Sequence, residues 1–193
     1  MLSQLVRFCY EKFAAPVRNN FLARQFASYF EGNEKVLDLG ASEGKLAFEL
    51  KRKLPSLDII GADVVVQPKT YIPVTKYDGA TLPFGDNFFD VVMLVDVVHH
   101  DDARKVLKEA KRVSRKYILV KDFYWKNKFE FFLLKFTDYL WNEPFGIKCK
   151  NKYLKISEWE DIFKELKLSI VKSEEFKITP LDPPHILLAL EKQ

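Results

Sequence analysis

Four aspartates stand where short apolar segments end in the first half of this 193-residue chain. Asp38 lies in VLDLGASEGK, Asp63 in IIGADVVV, Asp78 in KYDGATLP and Asp96 in LVDVVHHDD. An ionised carboxylate accepts hydrogen bonds and pairs with cations, but it donates nothing. Aspartates at successive segment ends therefore predict a binding edge for hydroxyl, amino or ammonium groups.

The segment around Asp38 predicts a strand that turns through Gly40 and Gly44 into a helix. A dinucleotide loop has glycines at G-x-G-x-x-G spacing so that backbone amides approach a pyrophosphate, whereas Ser42 occupies the middle position here. An acid beside such a loop favours a cation over a phosphate. We therefore expect a ligand with an ammonium group near Asp38 and no phosphate.

S-adenosylmethionine has this layout, with an ammonium at one end, a ribose in the middle and no phosphate. Asp63 is placed to accept hydrogen bonds from both ribose hydroxyls. Asp78 and Gly79 offer an acceptor and a backbone amide to the adenine, which Leu82 and Phe84 would flank. The predicted cofactor site, which includes no metal, consists of Asp38, Gly40, Ala41, Ser42, Gly44, Asp63, Val64, Asp78, Gly79 and Asp96.

Short apolar runs alternate with charged helical stretches from residue 35 onward, which is typical of βαβ units. The sequence predicts an α/β fold: a Rossmann-like open sheet of about seven mostly parallel strands, with helices on both faces and an antiparallel C-terminal strand. Because parallel strands end at one edge of a sheet, the aspartates should meet there. The predicted strands are 35–39, 57–62, 74–77, 89–95 and 116–120, followed by two more in KLSIVKSEEF and HILLALEK.

Two histidines, His99 and His100, follow the fourth predicted strand at the same edge as Asp96. A histidine titrates near neutral pH and can act as general base toward an alcohol or phenol. The candidate catalytic residues are therefore His100, His99 and Asp96. The alternative is that the histidines only cap a helix or line the pocket, while catalysis rests on alignment of the reactants.

Several segments together resemble the class I S-adenosylmethionine-dependent methyltransferases, most closely the small-molecule group that includes the ubiquinone and menaquinone methyltransferases. They are VLDLGASEGK, GADV, YDGATLPFGDNFFDVVMLVDVVHH and VLKEAKRVSRKYILVKD, within residues 35–122. The resemblance implies a seven-stranded sheet, S-adenosylmethionine as cofactor, and methyl transfer to a small molecule. The aromatic residues of the segment 121–155 predict that this molecule is mainly apolar or aromatic. The resemblance assigns Asp38, Gly40 and Gly44 to the methionine part, and Ser42 replaces the usual middle glycine. A small serine side chain fits this turn if its φ is negative, so we expect altered cofactor affinity rather than loss of binding.

Two other functions remain open. An RNA ribose methyltransferase uses an acid after the fourth strand and a lysine after the fifth, positions that Asp96 and Lys121 could fill. The double histidine and the modest net charge of +4 argue against it. A domain that binds the cofactor without catalysis is the second alternative, and the intact loop residues disfavour it.

Length and composition predict one domain over residues 1–193, which the resemblance implies is a methyltransferase domain, opening with a helical segment over residues 1–33. Lysines and arginines number 31 against 27 acids, a balance that does not require a nucleic-acid partner. Cys9 and Cys149 lie too far apart for a disulfide framework or a metal cluster, which indicates a reducing, cytoplasmic location.

Residues 121–155 depart from the alternating pattern and are rich in aromatic residues and lysines. We interpret them as an aromatic lid insertion, in which Phe129, Phe132 and Phe136, with Leu133 and Leu140, share one helix face. This face either covers the pocket or packs into the core. The lysines around it favour an anionic or membrane-borne acceptor, so lipid-linked acceptors and peripheral membrane contact belong to the prediction.

Overall fold

A computed structural model describes residues 10–142, 152–178 and 183–193. A π-helical turn, Tyr10–Ala14, precedes the first helix, and a 3-10 turn, Val98–His100, follows the fourth strand. The helices are α1 (Ala15–Ala27), α2 (Lys45–Lys53), α3 (Ala103–Val113), α4 (Lys128–Asn142) and α5 (Ile156–Glu165). The strands are β1 (Lys35–Leu39), β2 (Asp58–Asp63), β3 (Val74–Lys76), β4 (Phe89–Val95), β5 (Ser114–Trp125), β6 (Leu154–Lys155), β7 (Leu168–Phe176) and β8 (His185–Lys192).

The strands form one open sheet in the order β3-β2-β1-β4-β5-β8-β7, and β6 pairs with β5 beside this path. Strands β1 to β5 run parallel to one another, whereas β8 runs antiparallel to both of its neighbours, β5 and β7. The predicted fold class is therefore confirmed, including the antiparallel C-terminal strand.

The sheet is covered on both faces because successive residues of its inner strands point to opposite sides. One core cluster joins α1 and α2 to the sheet, with Leu22, Phe26 and Leu50 among its members. The other joins α3 and α5 to the opposite face, with Leu107 and Trp159 among its members. Strand β4 is buried over its first six residues, as expected for a strand covered on both faces. This rigid centre fixes the ends of β1 and β4 next to each other.

The largest difference from the sequence-based assignment is the length of β5, which runs to Trp125 rather than to residue 120. Residues 121–125 therefore belong to the sheet and not to the insertion. Two charged residues in this stretch, Lys121 and Asp122, are completely buried. Because these two residues are charged, the stretch lacks the continuous apolar pattern that predicts a buried strand. Their partners lie in other elements.

Helix α1 falls within the N-terminal segment that the sequence predicts to be helical. Part of that segment, residues 1–9 with Cys9, lies outside the described residues, as do 143–151 with Cys149 and 179–182. Within the described ranges, no helix combines the length and apolar character needed to cross a membrane.

Candidate active site

The turn after β1 is formed by Gly40 and Gly44, whose φ angles are 80° and 74°. A Cβ on Gly40 would lie 2.3 Å from Cγ2 of Val97, and one on Gly44 would lie 2.4 Å from Cγ1 of Ile72. Backbone conformation and close packing of the chain against itself therefore both require glycine here. Because Val97 follows Asp96, the same packing holds the end of β4 against the turn.

Ser42 has a φ of 51°, so the condition of a negative φ is not met. This left-handed conformation costs an L-residue roughly 1–2 kcal/mol. The reason for it lies in the backbone: the Ser42 N–H donates to Oδ2 of Asp63 at 2.7 Å. The turn thus holds the Asp63 carboxylate in place at the end of β2.

The other amides of the turn are also used within the protein. The N–H groups of Gly40 and Ala41 both donate to the Ala62 carbonyl, at 2.8 and 3.3 Å. The Gly44 N–H donates to the Ala41 carbonyl at 2.7 Å. A phosphate-binding loop keeps its amides available for the ligand. Here these three amides are committed to the carbonyls of Ala41 and of Ala62 in β2, which supports the prediction that the ligand has no phosphate there.

Asp38 lies at the end of β1 with 4% of its surface exposed. Burial, together with the like charge of Asp63, raises the pKa of its carboxyl from 3.8 to about 7. Among the described residues, none donates a hydrogen bond to this carboxylate or forms an ion pair with it. A buried carboxylate without a cation is costly, and a ligand ammonium would remove that cost. The geometry therefore fits the ammonium end of S-adenosylmethionine.

Asp63 stands next along the edge, half-buried, with one backbone donor on each oxygen. Its Oδ1 accepts from the Val65 N–H at 3.0 Å, and each oxygen keeps a lone pair for a ligand hydroxyl. Val64 and Gly79 are in contact, since a Cβ on Gly79 would lie 3.3 Å from Cγ1 of Val64. The predicted ribose and adenine residues thus form one continuous rim.

Asp78 and the residues after it only partly match the predicted adenine site. Oδ1 of Asp78 accepts from the N–H groups of Ala80 and Thr81, both at 2.8 Å, and these bonds lower the pKa of its carboxyl. Leu82 is 2% exposed and belongs to the core, so it does not flank a bound base, contrary to the sequence prediction. Phe84 is half-buried among neighbouring phenylalanines.

Asp96, after β4, is held between two cations. Arg18 of α1 pairs with its Oδ2, and the Lys121 ammonium of β5 lies 2.5 Å from its Oδ1. Burial alone would raise the pKa of Asp96, but the charges of Lys121 and Arg18 outweigh burial and lower it. His185 of β8 lies near the same charged groups, and its burial and the Lys121 charge lower its pKa to about 2. Asp96 is therefore ionised and His185 neutral at any pH near 7.

The two histidines occupy different environments on the other side of β5. His99 is 4% exposed, and its Nδ1 lies 2.6 Å from Oδ1 of Asp122. Oδ2 of Asp122 accepts from the N–H of Val98 at 3.0 Å. His100 is half-buried with its ring 4.0 Å from that of His99. Neither histidine caps α3, because that role belongs to Asp102.

Sequence reasoning missed three residues of this edge: Arg18, Asp122 and Tyr77. Arg18 lies 78 positions before its partner Asp96, and nothing local indicates that pairing. Asp122 follows Lys121 at the end of the buried stretch 118–122 of β5, and adjacent charges in such a stretch are a usable signal of buried polar partners. Burial and the nearby charges of Asp63, Asp101 and Asp78 raise the pKa of Tyr77, which places its phenol at the rim.

The part of the chain that forms this edge is similar in sequence to known proteins. Residues 37–117 match the family described as methyltransferase domain. Demethylmenaquinone methyltransferase of Thermotoga maritima is 35% identical over 91 residues, which cover 43% of this chain and 40% of that protein. The chain thus matches less than half the length of this curated relative.

Solved structures share the fold over nearly the whole chain. A methyltransferase-like protein from Bacillus halodurans is 15% identical, with a TM-score of 0.67 over 90% of this chain and 98% of that one. The 1,6-didemethyltoxoflavin-N1-methyltransferase of Burkholderia thailandensis, solved with that compound and S-adenosylhomocysteine, is 13% identical, with a TM-score of 0.69 over 100% and 87%. At these identities the structures establish the fold. Residues 37–117, from β1 to the start of β5, thus match a methyltransferase domain, and the chain as a whole shares the fold of the solved structures.

Proposed function

We propose that this protein transfers the methyl group of S-adenosylmethionine to a small, mainly apolar or aromatic acceptor, lipid-linked acceptors included. One observation carries the cofactor assignment: Asp38 is a buried carboxylate with no cationic partner among the described residues. It stands beside a turn whose amides are already bonded. Both features favour an ammonium-bearing ligand without phosphate.

Each residue of the edge then has a role in binding. Asp38 pairs with the ammonium, and Asp63 accepts hydrogen bonds from the ribose hydroxyls. Gly79 presents its backbone to the adenine, with the exposed oxygen of Asp78 beside it. The bound cofactor supplies an activated methyl group on sulfur, so the protein mainly has to align the acceptor and exclude water.

Two cations stand on the acceptor side of the edge. Arg18 and Lys121 both pair with Asp96, and the Arg18 side chain keeps 24% exposure. A negatively charged acceptor oxygen, as in an ionised phenol, is favoured beside the exposed part of the Arg18 guanidinium. Because its pKa is lowered, Asp96 is a weak base, so we assign it to positioning Arg18 and Lys121.

Proton removal is assigned to the histidine pair. Asp122 fixes the ring of His99 through Nδ1, and the half-buried His100 ring packs against it at an interplanar angle of 45°. We infer that His100 takes the acceptor proton and that His99 and Asp122 hold it in place. The names of two similar proteins support a small acceptor, since one acts on demethylmenaquinone and the other was solved with 1,6-didemethyltoxoflavin.

Transfer of a labelled methyl group tests the proposal. The protein is incubated with methyl-labelled S-adenosylmethionine and cell extract, which is then separated into lipid, small-molecule and RNA fractions. We expect label in the lipid or small-molecule fraction, and none with Asp38→Asn. Label in RNA would favour the ribose methyltransferase instead. Cofactor binding by calorimetry without any transfer would identify a non-catalytic domain.

The proton-removal step has its own test once an acceptor is found. The rate at saturating cofactor should rise with pH through the neutral range, because a neutral histidine is the active form. His100→Ala should abolish that rise, and Asp122→Asn should move it by altering the support of His99. A pH profile unchanged in both variants would leave alignment as the whole mechanism.

A further inference from the structure

Helix α4 presents a row of aromatic side chains to solvent. Phe129 is 74% exposed, Phe132 68%, Phe136 55% and Tyr139 62%. Large contiguous apolar surfaces are uncommon on monomeric proteins in water, and they mark sites that bind another protein, a ligand or a membrane. The sequence-based alternative that this face packs into the core is therefore wrong for Phe129, Phe132 and Phe136.

The orientation of α4 is set by its opposite face. Leu134 is 1% exposed, and the Phe131 ring packs on Trp125 of β5 with 4.9 Å between ring centroids. Asn127 caps the helix by accepting from the Glu130 N–H at 2.9 Å. With an inner face and a cap, the helix is positioned independently of its exposed aromatic residues.

Two lysines border one side of the aromatic row. At 3.6 residues per turn, the four aromatic positions fall within an arc of about 80°, and Lys128 and Lys135 lie within about 40° of the same edge of that arc. Both lysines are exposed, and Glu130 projects from a different part of the helix. The Glu130 carboxylate accepts from the Lys126 N–H at 2.7 Å, which keeps it at the helix start. Aromatic residues flanked by lysines are the arrangement of helices that lie in a membrane interface, where rings enter the headgroup region and ammonium groups reach lipid phosphates.

We propose that the aromatic face of α4 docks onto an anionic lipid surface. The flanking lysines select a negatively charged surface over a neutral one, and they argue against a second copy, which would bring the same positive charges. Helix α4 begins directly after β5, the strand that carries Lys121 and Asp122 at the candidate active site. Docking would therefore place the acceptor side of the site next to the bilayer. The inference stands on α4 alone and does not depend on methyl transfer.

Vesicle sedimentation tests it. The full chain is spun with phosphatidylcholine vesicles, with or without phosphatidylglycerol, at low and high salt. We expect binding only where phosphatidylglycerol is present, and weaker binding at high salt. Lys128→Glu with Lys135→Glu should weaken binding at least 30-fold, since each lysine near an anionic surface contributes roughly fivefold. Phe132→Gln with Phe136→Gln should weaken it by at least tenfold, because both rings leave the interface.

Matched controls separate docking from general effects. Lys105→Glu with Lys108→Glu makes the same charge change at exposed positions of α3 and should retain most of the binding. All variants should keep their circular dichroism spectrum and their affinity for S-adenosylmethionine, which separates this test from that of the proposed function. Equal loss in the α3 control, or no binding by the unmodified chain, would overturn the proposal. So would a dimer in light scattering that Phe132→Gln with Phe136→Gln dissociates.

Discussion

Asp38 and Asp96 lie at the ends of neighbouring strands of one sheet, and the pKa values of their carboxyl groups shift in opposite directions. None of the described residues supplies a cation to Asp38, and its pKa rises to about 7. Asp96 lies between Arg18 and Lys121, and its pKa falls. Burial acts against the charged form at both positions, so the difference comes from the partners.

The two sites show how one edge can hold both a structural and a ligand-binding charge. At Asp96 the protein supplies the compensating cations itself, which makes the carboxylate part of the folded structure. At Asp38 the compensation is left to a ligand, so the unligated fold carries an uncompensated cost. Substitutions at the two positions should therefore have opposite effects on stability.

The largest effect is expected from Asp96→Ala. It leaves the Lys121 ammonium, which has no exposed surface, without its carboxylate and beside Arg18. Removing one member of a buried pair costs about 3–5 kcal/mol, so the free energy of unfolding should fall by about that amount in urea denaturation. Adding Lys121→Met should restore most of the loss. A single variant as stable as the unmodified protein would contradict this account of the pair.

Asp38→Asn should stabilise the unligated protein while weakening cofactor binding. Because the folded pKa of about 7 exceeds the ordinary 3.8, folding favours the protonated carboxyl, and this contribution is lost as pH rises toward 7. At about pH 8 the variant should gain about 2–3 kcal/mol in unfolding free energy, with little gain at about pH 4. Chemical denaturation at both pH values, with exposed Asp58→Asn as control, measures the difference.

The same titration should govern cofactor affinity. Asp38 must be ionised to pair with an ammonium, so the affinity of the unmodified protein should fall by up to about tenfold per pH unit below about pH 7. Calorimetry across this range should give a flat profile for Asp38→Asn. A parallel slope in both proteins would place the titrating group elsewhere.

Asp63→Asn should lower the pKa of Asp38 and so reduce its difference from the pKa of Asp96. The charge of Asp63 adds to burial in raising the pKa of Asp38, so its removal should lower the midpoint of the Asp38 titration by about 0.5–1 pH unit. The pH dependence of unligated stability reports the midpoint. Asp78→Asn changes charge farther along the rim and should leave the midpoint in place.

The smallest effect is expected from Ser42→Gly. Glycine relieves the positive φ and retains the N–H that bonds Asp63, so stability should rise by about 0.5–1 kcal/mol. The Asp38 midpoint should not move. A thermal melt and the same pH series measure both quantities, and a shifted midpoint would show that the Ser42 side chain takes part.

The sequence predicted β1 and β4 with their observed bounds because apolar runs bounded by glycine, proline or aspartate are local signals. It predicted Asp38, Asp63 and Gly40 at one edge because the order of parallel strands decides which ends meet. The length of β5 could not be predicted in the same way, since Lys121 and Asp122 depend on partners in other elements. The Arg18 to Asp96 pair and the direction that α4 faces are also set by tertiary packing.

The position of β8 has a consequence for the growing polypeptide during synthesis. Strand β8 lies between β5 and β7, although the ribosome makes it after both. Until it emerges, β5 and β7 each present an unpaired edge, the kind of surface that other chains and chaperones bind. His185 also joins the surroundings of Lys121 and Asp96 only at that moment. A nascent chain can therefore complete the cofactor turn early, whereas its acceptor side is finished last.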